Sequence, residues 1–246
     1  MNSFYNWQNV LAGLSRSALP CGLIVCAMRH DSDQRIARAA DLALQFHRQA
    51  ATAGAAGAAR VVGFDLAGPE AGWPASRHAA LLARVRGAGL GLTLHAGEAD
   101  AGQRVLEAVR LGAQRIGHGV RLADLLDRSE SADDLAALRR QGIHLEICAT
   151  SNLHTGAAVS LALHPIHALW RAGFSLSFHT DNPLMSRLAH STEAARLVQA
   201  GFGWPELLQM GLDAAGASFL GESARAQARD TLLAWGRIEG LTPLNR

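Results

Sequence analysis

The sequence predicts an α/β fold of the (β/α)8 barrel type in which six parallel strands are recognisable. Short apolar runs alternate six times with segments of helical periodicity, and the runs are apolar enough to be covered on both faces. Polar residues follow most of these runs. A doubly wound open sheet collects its ligand contacts at one switch point, whereas a barrel carries them at the carboxyl ends of many strands. The distribution of polar residues therefore favours the barrel.

The predicted strands are six apolar runs: LIVCAM (23–28), RVVGFDLAG (60–68), GLTLHAGE (91–98), RIGHG (115–119), HLEICATSN (144–152) and SLSFHTDN (175–182). Five of them finish on reactive or turn-forming groups: Asp65 with Gly68, His95 with Glu98, His118, Ser151 with Asn152, and Asp181 with Asn182. A barrel of this type needs eight strands, and the first 22 residues predict a helix that leads into the first strand. We therefore expect the first two strand–helix units of the barrel to be missing.

The intervals between the strands carry apolar residues at helical spacing, for example in residues 35–50 and 131–142. The Ala-rich segment 50–59 predicts the frayed end of a helix and a loop, because Gly54 and Gly57 interrupt it. From about residue 205 the pattern is helical to near the end. No linker separates two parts, so we expect one domain over residues 1–246 that closes with helices over about 205–246.

Composition excludes several classes of protein. The formal net charge is +2, and the basic residues are scattered rather than gathered into a stripe, which argues against a nucleic-acid partner. Cys21, Cys26 and Cys148 form no C-x-x-C pair, so neither a disulfide framework nor a cysteine zinc site is favoured. No secretory signal and no long apolar run is present, which predicts a cytoplasmic protein with no membrane partner.

Two histidines and an aspartate at the same end of a barrel would supply nitrogen and oxygen ligands that suit zinc. His95, His118 and Asp181 hold such positions, and Glu98 would be free for proton transfer. Each also has a structural interpretation. The histidines could be hydrogen-bonded structural residues, and HTDNP (179–183) could be an Asx turn that closes its strand.

Several motifs together carry a resemblance to a known family: TLHAGE, RIGHGVRL, LEICATSN, HP, GFSLSFHTDNPLMS and AAGASFL, in this order and spacing. With VVGFDLAGPE and CAMRH (26–30), they resemble the adenosine deaminase family, a zinc-dependent (β/α)8 branch of the amidohydrolases. The similarity runs from about residue 20 to about residue 235 and corresponds to the C-terminal two thirds of the family's chain. The sequence lacks the H-x-E and P-C-x-x-C motifs of cytidine-deaminase zinc sites.

The resemblance implies catalytic and metal-binding roles for four residues. His95 and Asp181 would be zinc ligands, and Asp181 would also touch the metal-bound water. His118 would orient the resulting hydroxide and stabilise charge as it attacks C6 of the purine. Glu98 would transfer a proton to ring N1, which requires it to be protonated when substrate binds.

The resemblance also implies contacts to the purine ring. The backbone N–H of Gly68 would face N3, and Glu98 would bind N1. Asn182 stands where many relatives have an aspartate bonded to N7, and an amide donates to N7 directly. The expected ligand is therefore a small purine nucleoside.

Besides Asn182, the sequence departs from the family pattern at three points. Ala149 stands where proline is usual, and His179 where asparagine is usual. The family's H-x-H pair on the first strand, which would supply the other two of four zinc ligands, is absent from the 246 residues. HPIH (164–167) matches a different family position, and His30 lacks a partner histidine. One His and one Asp would hold zinc weakly, because such sites normally use three or more protein ligands.

The resulting expectation is a zinc-dependent aminohydrolase of purine nucleoside metabolism and salvage. It would convert adenosine to inosine and ammonia, and it would deaminate 2'-deoxyadenosine in the same way. Whether this chain is active alone is a separate question. Two alternatives stay open: a non-catalytic paralogue that binds purine nucleosides or pairs with another subunit, and a deaminase of a related purine such as adenine. The exposed edges of a six-stranded remnant also predict self-association.

Overall fold

The structure, a computed structural model, describes residues 7–52 and 59–244 and contains one parallel sheet in that part of the chain. Its strands are β1 (Leu23–Met28), β2 (Val61–Ala67), β3 (Gly91–Ala96), β4 (Arg115–His118), β5 (His144–Ile147) and β6 (Ser175–Phe178). The strands are hydrogen-bonded in the order β1-β2-β3-β4-β5-β6, and every pair is parallel. The order never reverses, so the sheet has no switch point of the doubly wound kind. It is a six-stranded partial barrel, as the sequence predicts.

Helices connect the strands and cover the sheet. They are α1 (Trp7–Leu14), α2 (Asp33–Thr52), α3 (Ala79–Gly87), α4 (Gln103–Arg110), α5 (Ala132–Arg140), α6 (Ala149–His154), α7 (Ile166–Arg171), α8 (Pro183–Ser186), α9 (His190–Gln199), α10 (Trp204–Ala217) and α11 (Glu222–Ile238). Short 3-10 turns occur at Ala75–His78, Val120–Leu125 and Ser129–Ser131. The helix expected from the first 22 residues covers 7–14 within the described part of the chain. Most of segment 50–59 lies outside the described residues.

The prediction of one strand over residues 144–152 is wrong in its second half. Strand β5 ends at Ile147, and residues 149–154 form helix α6. Cys148 leaves the strand conformation with φ −116° and ψ 73°. A buried carboxylate explains the turn: Glu193 of α9 accepts the backbone N–H of Thr150 at 2.9 Å and also accepts its hydroxyl. An acceptor at the start of a helix satisfies an N–H that has no partner within the helix.

The inner face of the sheet is concave and polar. Thr93 of β3 donates its hydroxyl to Glu146 of β5 at 2.7 Å, so side chains meet across the intervening strand β4. Glu146 also pairs with Arg115, whose guanidinium lies over the ring of Phe219 at 4.5 Å. The outer face packs apolar residues such as Leu94 against the helices. Alternate inward and outward residues of this kind are the arrangement of a barrel wall.

The two outer strands of the sheet are open at one edge in the described part of the chain, because β1 pairs with β2 alone and β6 with β5 alone. Met28 of β1 is 42% exposed, and Cys26 is exposed beside it. All three cysteines are free thiols. Among the described residues, no helix has both the length and the apolar character that a membrane span requires.

Candidate active site

Four residues form the most densely hydrogen-bonded part of the site, and we call Glu98, His118, Asn152 and Thr155 the Glu98 cluster. Glu98 follows β3, His118 ends β4, Asn152 lies in α6 and Thr155 follows it. The Oε1 atom of Glu98 accepts from Asn152 Nδ2 at 2.9 Å and from the Thr155 hydroxyl at 2.9 Å. Asn152 Nδ2 also lies 3.1 Å from His118 Nδ1. Three successive strand ends therefore converge on one carboxylate.

A buried carboxylate fixes the loop that carries Glu98. Glu70, 3% exposed, accepts the backbone N–H groups of Gly97 at 2.7 Å, Glu98 at 2.8 Å and Ala99 at 3.2 Å. The buried guanidinium of Arg29 interacts electrostatically with Glu70, although burial lowers the pKa of Arg29. Three charge-assisted hydrogen bonds to consecutive amides give this loop one conformation.

His95 is oriented by a second carboxylate. Its Nδ1 lies 2.9 Å from Asp65 Oδ2 and 3.1 Å from Oδ1, so Nδ1–H donates to Asp65. Gly117 is required beneath it, because a Cβ at Gly117 would lie 2.9 Å from His95 Nδ1. The rings of His95 and His118 are 5.1 Å apart at 67°. A histidine that gives one ring N–H to a carboxylate presents the other nitrogen to a ligand, which is typical of metal-binding histidines.

The two rings are charged differently. Burial disfavours the protonated ring of His95, but the Asp65 carboxylate outweighs it and, with Glu146 and Asp181, raises the pKa of His95 to about 9. Burial lowers the pKa of His118, and the nearby Glu98 carboxylate only partly opposes this effect. Without a metal ion, His95 therefore holds its proton at neutral pH while His118 is neutral. A metal ion at His95 would have to displace that proton.

Asp181 and Asn182 lie on the open side of the site and are both exposed. Asp181 Oδ2 accepts from the Ser151 hydroxyl at 2.6 Å. Asn182 is the N-cap of α8, where its Oδ1 accepts the backbone N–H of Met185 at 3.2 Å. That contact leaves the Nδ2 group of Asn182 available to donate.

Gly68 directly follows β2 with φ +95°, and a Cβ there would lie 2.9 Å from His30 Nδ1. Both the backbone conformation and the histidine ring therefore require glycine. Within the described residues no hydrogen bond or ion pair joins Gly68 or Asn182 to the other predicted site residues. The structure thus brings Glu98, His118 and His95 together, and it links Asp181 to them through α6, which carries Ser151 and Asn152.

Two site residues have left-handed backbone conformations although neither is glycine. His118 has φ 63° and Asp181 has φ 57°. Such residues cost of order 1–3 kcal/mol each and concentrate at functional sites. Their presence at the ends of β4 and β6 supports the assignment of this end of the sheet as the site.

The donor set for a metal is incomplete. Among residues 7–52 and 59–244, no group of three or more His, Cys, Asp or Glu side chains could hold a metal ion. His95 has the orientation of a metal ligand, and Asp181 is an exposed carboxylate, but zinc sites normally take at least three protein ligands. These residues therefore do not fit zinc by themselves.

The sequence indicated most of these positions but assigned no role to several. The sequence does not indicate Glu70 or Thr155 as site residues, and it indicates Asn152, Ser151 and Asp65 only as polar residues near strand ends. Their partners lie far along the chain: Asn152 and Glu98 are 54 residues apart, and Glu70 and Gly97 are 27 apart. No local spacing connects such pairs. The acidic residue of AGPE, directly after a buried strand, is the signal that could have suggested Glu70.

A cavity of about 680 Å³ lies at the opposite end of the strands, near Arg60 and Phe219. None of the predicted site residues lines it. The cavity lies at the amino ends of the strands. In barrels this face contributes to stability and not to chemistry.

Comparison with known proteins identifies the family. The family model described as Adenosine deaminase matches residues 7–235. The chain belongs to the adenosine deaminase family. It is 37% identical over 240 residues to an adenosine deaminase from Mycobacterium marinum, a match that covers 91% of this chain and 63% of the relative. It is 41% identical over 204 residues to an adenosine deaminase from Mycobacterium sp. strain KMS, covering 80% of this chain and 53% of the relative.

Three solved structures share the fold of this chain. An adenine deaminase from Arthrobacter aurescens, 26% identical, superposes with a TM-score of 0.70 over 87% of this chain and 61% of its own. An N6-methyl-AMP deaminase from Arabidopsis thaliana has a TM-score of 0.72 at 24% identity, covering 88% and 59%. An amidohydrolase from Burkhoderia ambifaria with bound Zn has a TM-score of 0.71 at 20% identity, covering 89% and 57%. The chain thus spans between 53% and 63% of the length of these relatives.

Proposed function

We propose that this chain carries the purine-binding and proton-transfer part of a site for the hydrolytic deamination of adenosine and 2'-deoxyadenosine. The observation that carries the proposal is the fixed carboxylate of Glu98. Its two hydrogen bonds within the described residues both fall on Oε1. An oxygen that accepts two donors is unprotonated, so a proton on Glu98 resides on Oε2. Oε2 is therefore the atom that would transfer a proton to purine N1.

In this reaction the water oxygen bonds to C6 and the C6–N6 bond breaks. One proton of the water passes to the amino group, which leaves as ammonia, and the other returns to Glu98, whose own proton has gone to N1. Protonation of N1 by Glu98 withdraws electrons from C6 and makes it electrophilic. His118 would stabilise charge on the entering oxygen. Asn182, whose Nδ2 is not engaged in the helix cap, would donate to N7, and the Gly68 N–H would face N3. These contacts would select a purine ring.

Zinc is proposed as the cofactor because the family resemblance implies it and the Burkhoderia relative has it bound. In this chain His95 and Asp181 would bind the ion. The described donor set does not fit zinc alone, so binding would need further ligands from outside this set. No step of the reaction above is assigned to the metal for this reason.

The incomplete donor set also favours a second candidate, a non-catalytic protein that binds purine nucleosides or pairs with another polypeptide. The second candidate would make the same contacts to the purine ring as the first, but it would not convert the purine to a product. A deaminase of a related purine, such as adenine, is less well supported, since the curated relatives at 37–41% identity are adenosine deaminases. A panel of adenosine, 2'-deoxyadenosine and adenine separates these candidates.

Calorimetric titration with adenosine tests the proposal, with 1-deazaadenosine as the matched ligand because it has a C–H group in place of N1. Adenosine is expected to bind. 1-Deazaadenosine is expected to bind at least about tenfold more weakly, since a hydrogen bond to a carboxyl group contributes about 1.5 kcal/mol or more. Absence of adenosine binding, or equal affinity for the two ligands, would contradict the proposed contact.

The open edges of β1 and β6 support the further proposal that the chain self-associates. Apolar strand edges with unpaired backbone groups pair readily with other chains. Light scattering should give a mass above one chain at micromolar concentration. A stable monomer would contradict this proposal without affecting the one on purine binding.

A further inference from the structure

Asn152 occupies the centre of the Glu98 cluster and is fully buried. Its Nδ2 donates to Glu98 Oε1 and lies 3.1 Å from His118 Nδ1. Its Oδ1 lies 3.3 Å from Nε2 of His164, a buried residue next to α7. The Asn152 amide therefore contacts His118 Nδ1 and His164 Nε2. A neutral imidazole can carry its proton on either ring nitrogen, so these contacts decide which nitrogen is protonated.

The direction of this chain of hydrogen bonds is set at its outer end. The backbone N–H of Ile166 donates to His164 Nδ1 at 3.0 Å. A backbone N–H can only donate, so Nδ1 presents its lone pair, and burial keeps the ring neutral by lowering the pKa of His164 to about 4. The single ring proton is then on Nε2, and it is donated to Asn152 Oδ1. A flipped Asn152 amide would bring two donors together at that point and is excluded.

Because its oxygen faces His164, Asn152 directs its two amide hydrogens to Glu98 and His118. One goes to Glu98 Oε1 and the other to His118 Nδ1, which must accept it. The competing contact between His118 Nδ1 and Glu98 Oε1 is longer, at 3.5 Å. We propose that Asn152 is a positioning residue that fixes His118 as its Nε2–H tautomer, so that this ring offers the reaction a hydrogen-bond donor.

The consequence for chemistry rests on the proposed function. An Nε2–H group stabilises negative charge that develops on the oxygen attacking C6, whereas it cannot accept a proton from water. In the resting site His118 is therefore a donor to the forming oxyanion and not a general base. Asn152 also holds the acceptor oxygen of Glu98, so one buried amide sets the proton positions of both groups.

The tautomer is measurable without substrate, turnover or metal. In the full chain labelled with 15N-histidine, long-range proton–nitrogen correlation spectra distinguish Nε2–H from Nδ1–H rings, and the signal that is lost in His118→Gln assigns His118. The wild type is expected to show a neutral Nε2–H ring at His118. A neutral Nδ1–H ring or a doubly protonated ring would overturn the proposal.

Two variants test the role of Asn152. A carboxylate can only accept, so Asn152→Asp is expected to move the His118 proton from Nε2 to Nδ1, and Asn152→Ala should give a mixture of tautomers. Ser175→Ala is the matched control, since Ser175 bonds His144 Nδ1 at 2.8 Å and should alter that ring alone. An unchanged Nε2–H signal in folded Asn152→Asp would contradict the proposal. The wild-type spectrum decides it even where a variant does not fold.

Discussion

The two sides of the site differ in how completely hydrogen bonds hold them. On one side, Glu98 and Asn152 are held by several hydrogen bonds, and Asn152 and the Glu70 carboxylate are buried. On the other, Asp181 and Asn182 are exposed, and each has a single hydrogen bond to its side chain among the described residues. The first side performs proton transfer in the proposed reaction, and the second would complete a metal site. The difference indicates that the described residues hold the groups of the proposed proton transfer in place, whereas they do not by themselves group enough donors for a metal ion.

The largest effect is expected from Glu70→Ala. The substitution leaves three backbone N–H groups without their acceptor and removes a negative charge beside buried Arg29. A buried donor left without its acceptor costs about 1–3 kcal/mol, so we expect the free energy of unfolding to fall by about 3 kcal/mol. Denaturant unfolding measures it.

The exposed Glu130→Ala is the matched control, for which a change within about 0.5 kcal/mol is expected. Glu70→Gln keeps an acceptor oxygen and should lose less than Glu70→Ala. A loss below about 1 kcal/mol in Glu70→Ala would mean that the loop does not depend on this carboxylate.

An intermediate effect is expected from pH, through the buried histidines beneath and beside the site. Burial, aided by Arg115, lowers the pKa of His144 to about 3, and burial lowers the pKa of His164 to about 4. Unfolded histidines titrate near 6.5, so below that pH the unfolded chain binds more protons than the folded chain. The free energy of unfolding should therefore fall as pH decreases, by up to about 1.4 kcal/mol per pH unit for each histidine.

The variant His144→Gln should reduce this slope by about the contribution of one histidine, whereas the exposed His154→Gln should leave it unchanged. Urea unfolding at several values between about pH 6.5 and pH 5 gives the slopes. Equal slopes for wild type and His144→Gln would show that His144 is not held neutral in the fold.

The smallest effect is expected on the open side, from Asp181→Asn. Asparagine accepts the Ser151 hydrogen bond and tolerates the left-handed backbone, so the fold loses only a charge at an exposed position. The free energy of unfolding should change by less than about 0.5 kcal/mol. A loss above about 1.5 kcal/mol would show that this side is as firmly held as the Glu98 cluster.

The sequence predicted the strands and the end of the sheet that carries the site, because buried parallel strands are apolar runs and their carboxyl ends collect polar residues. It did not predict helix α6, since CATSN continues an apolar run and its turn depends on Glu193, which lies 43 residues from Thr150. For the same reason the roles of Glu70 and Asn152 were not visible. The positions of His95 and Glu98 at the end of β3 agree with the expected strand end, and their chemical roles stay predictions.

The most direct test of the difference between the two sides is the zinc content of the purified chain. It is measured by elemental analysis after incubation with zinc and dialysis. With fewer than three suitable donors grouped in the described residues, we expect zinc well below one ion per chain. One zinc ion per chain, accompanied by conversion of adenosine to inosine, would contradict the account that the described residues leave the metal side of the site incomplete.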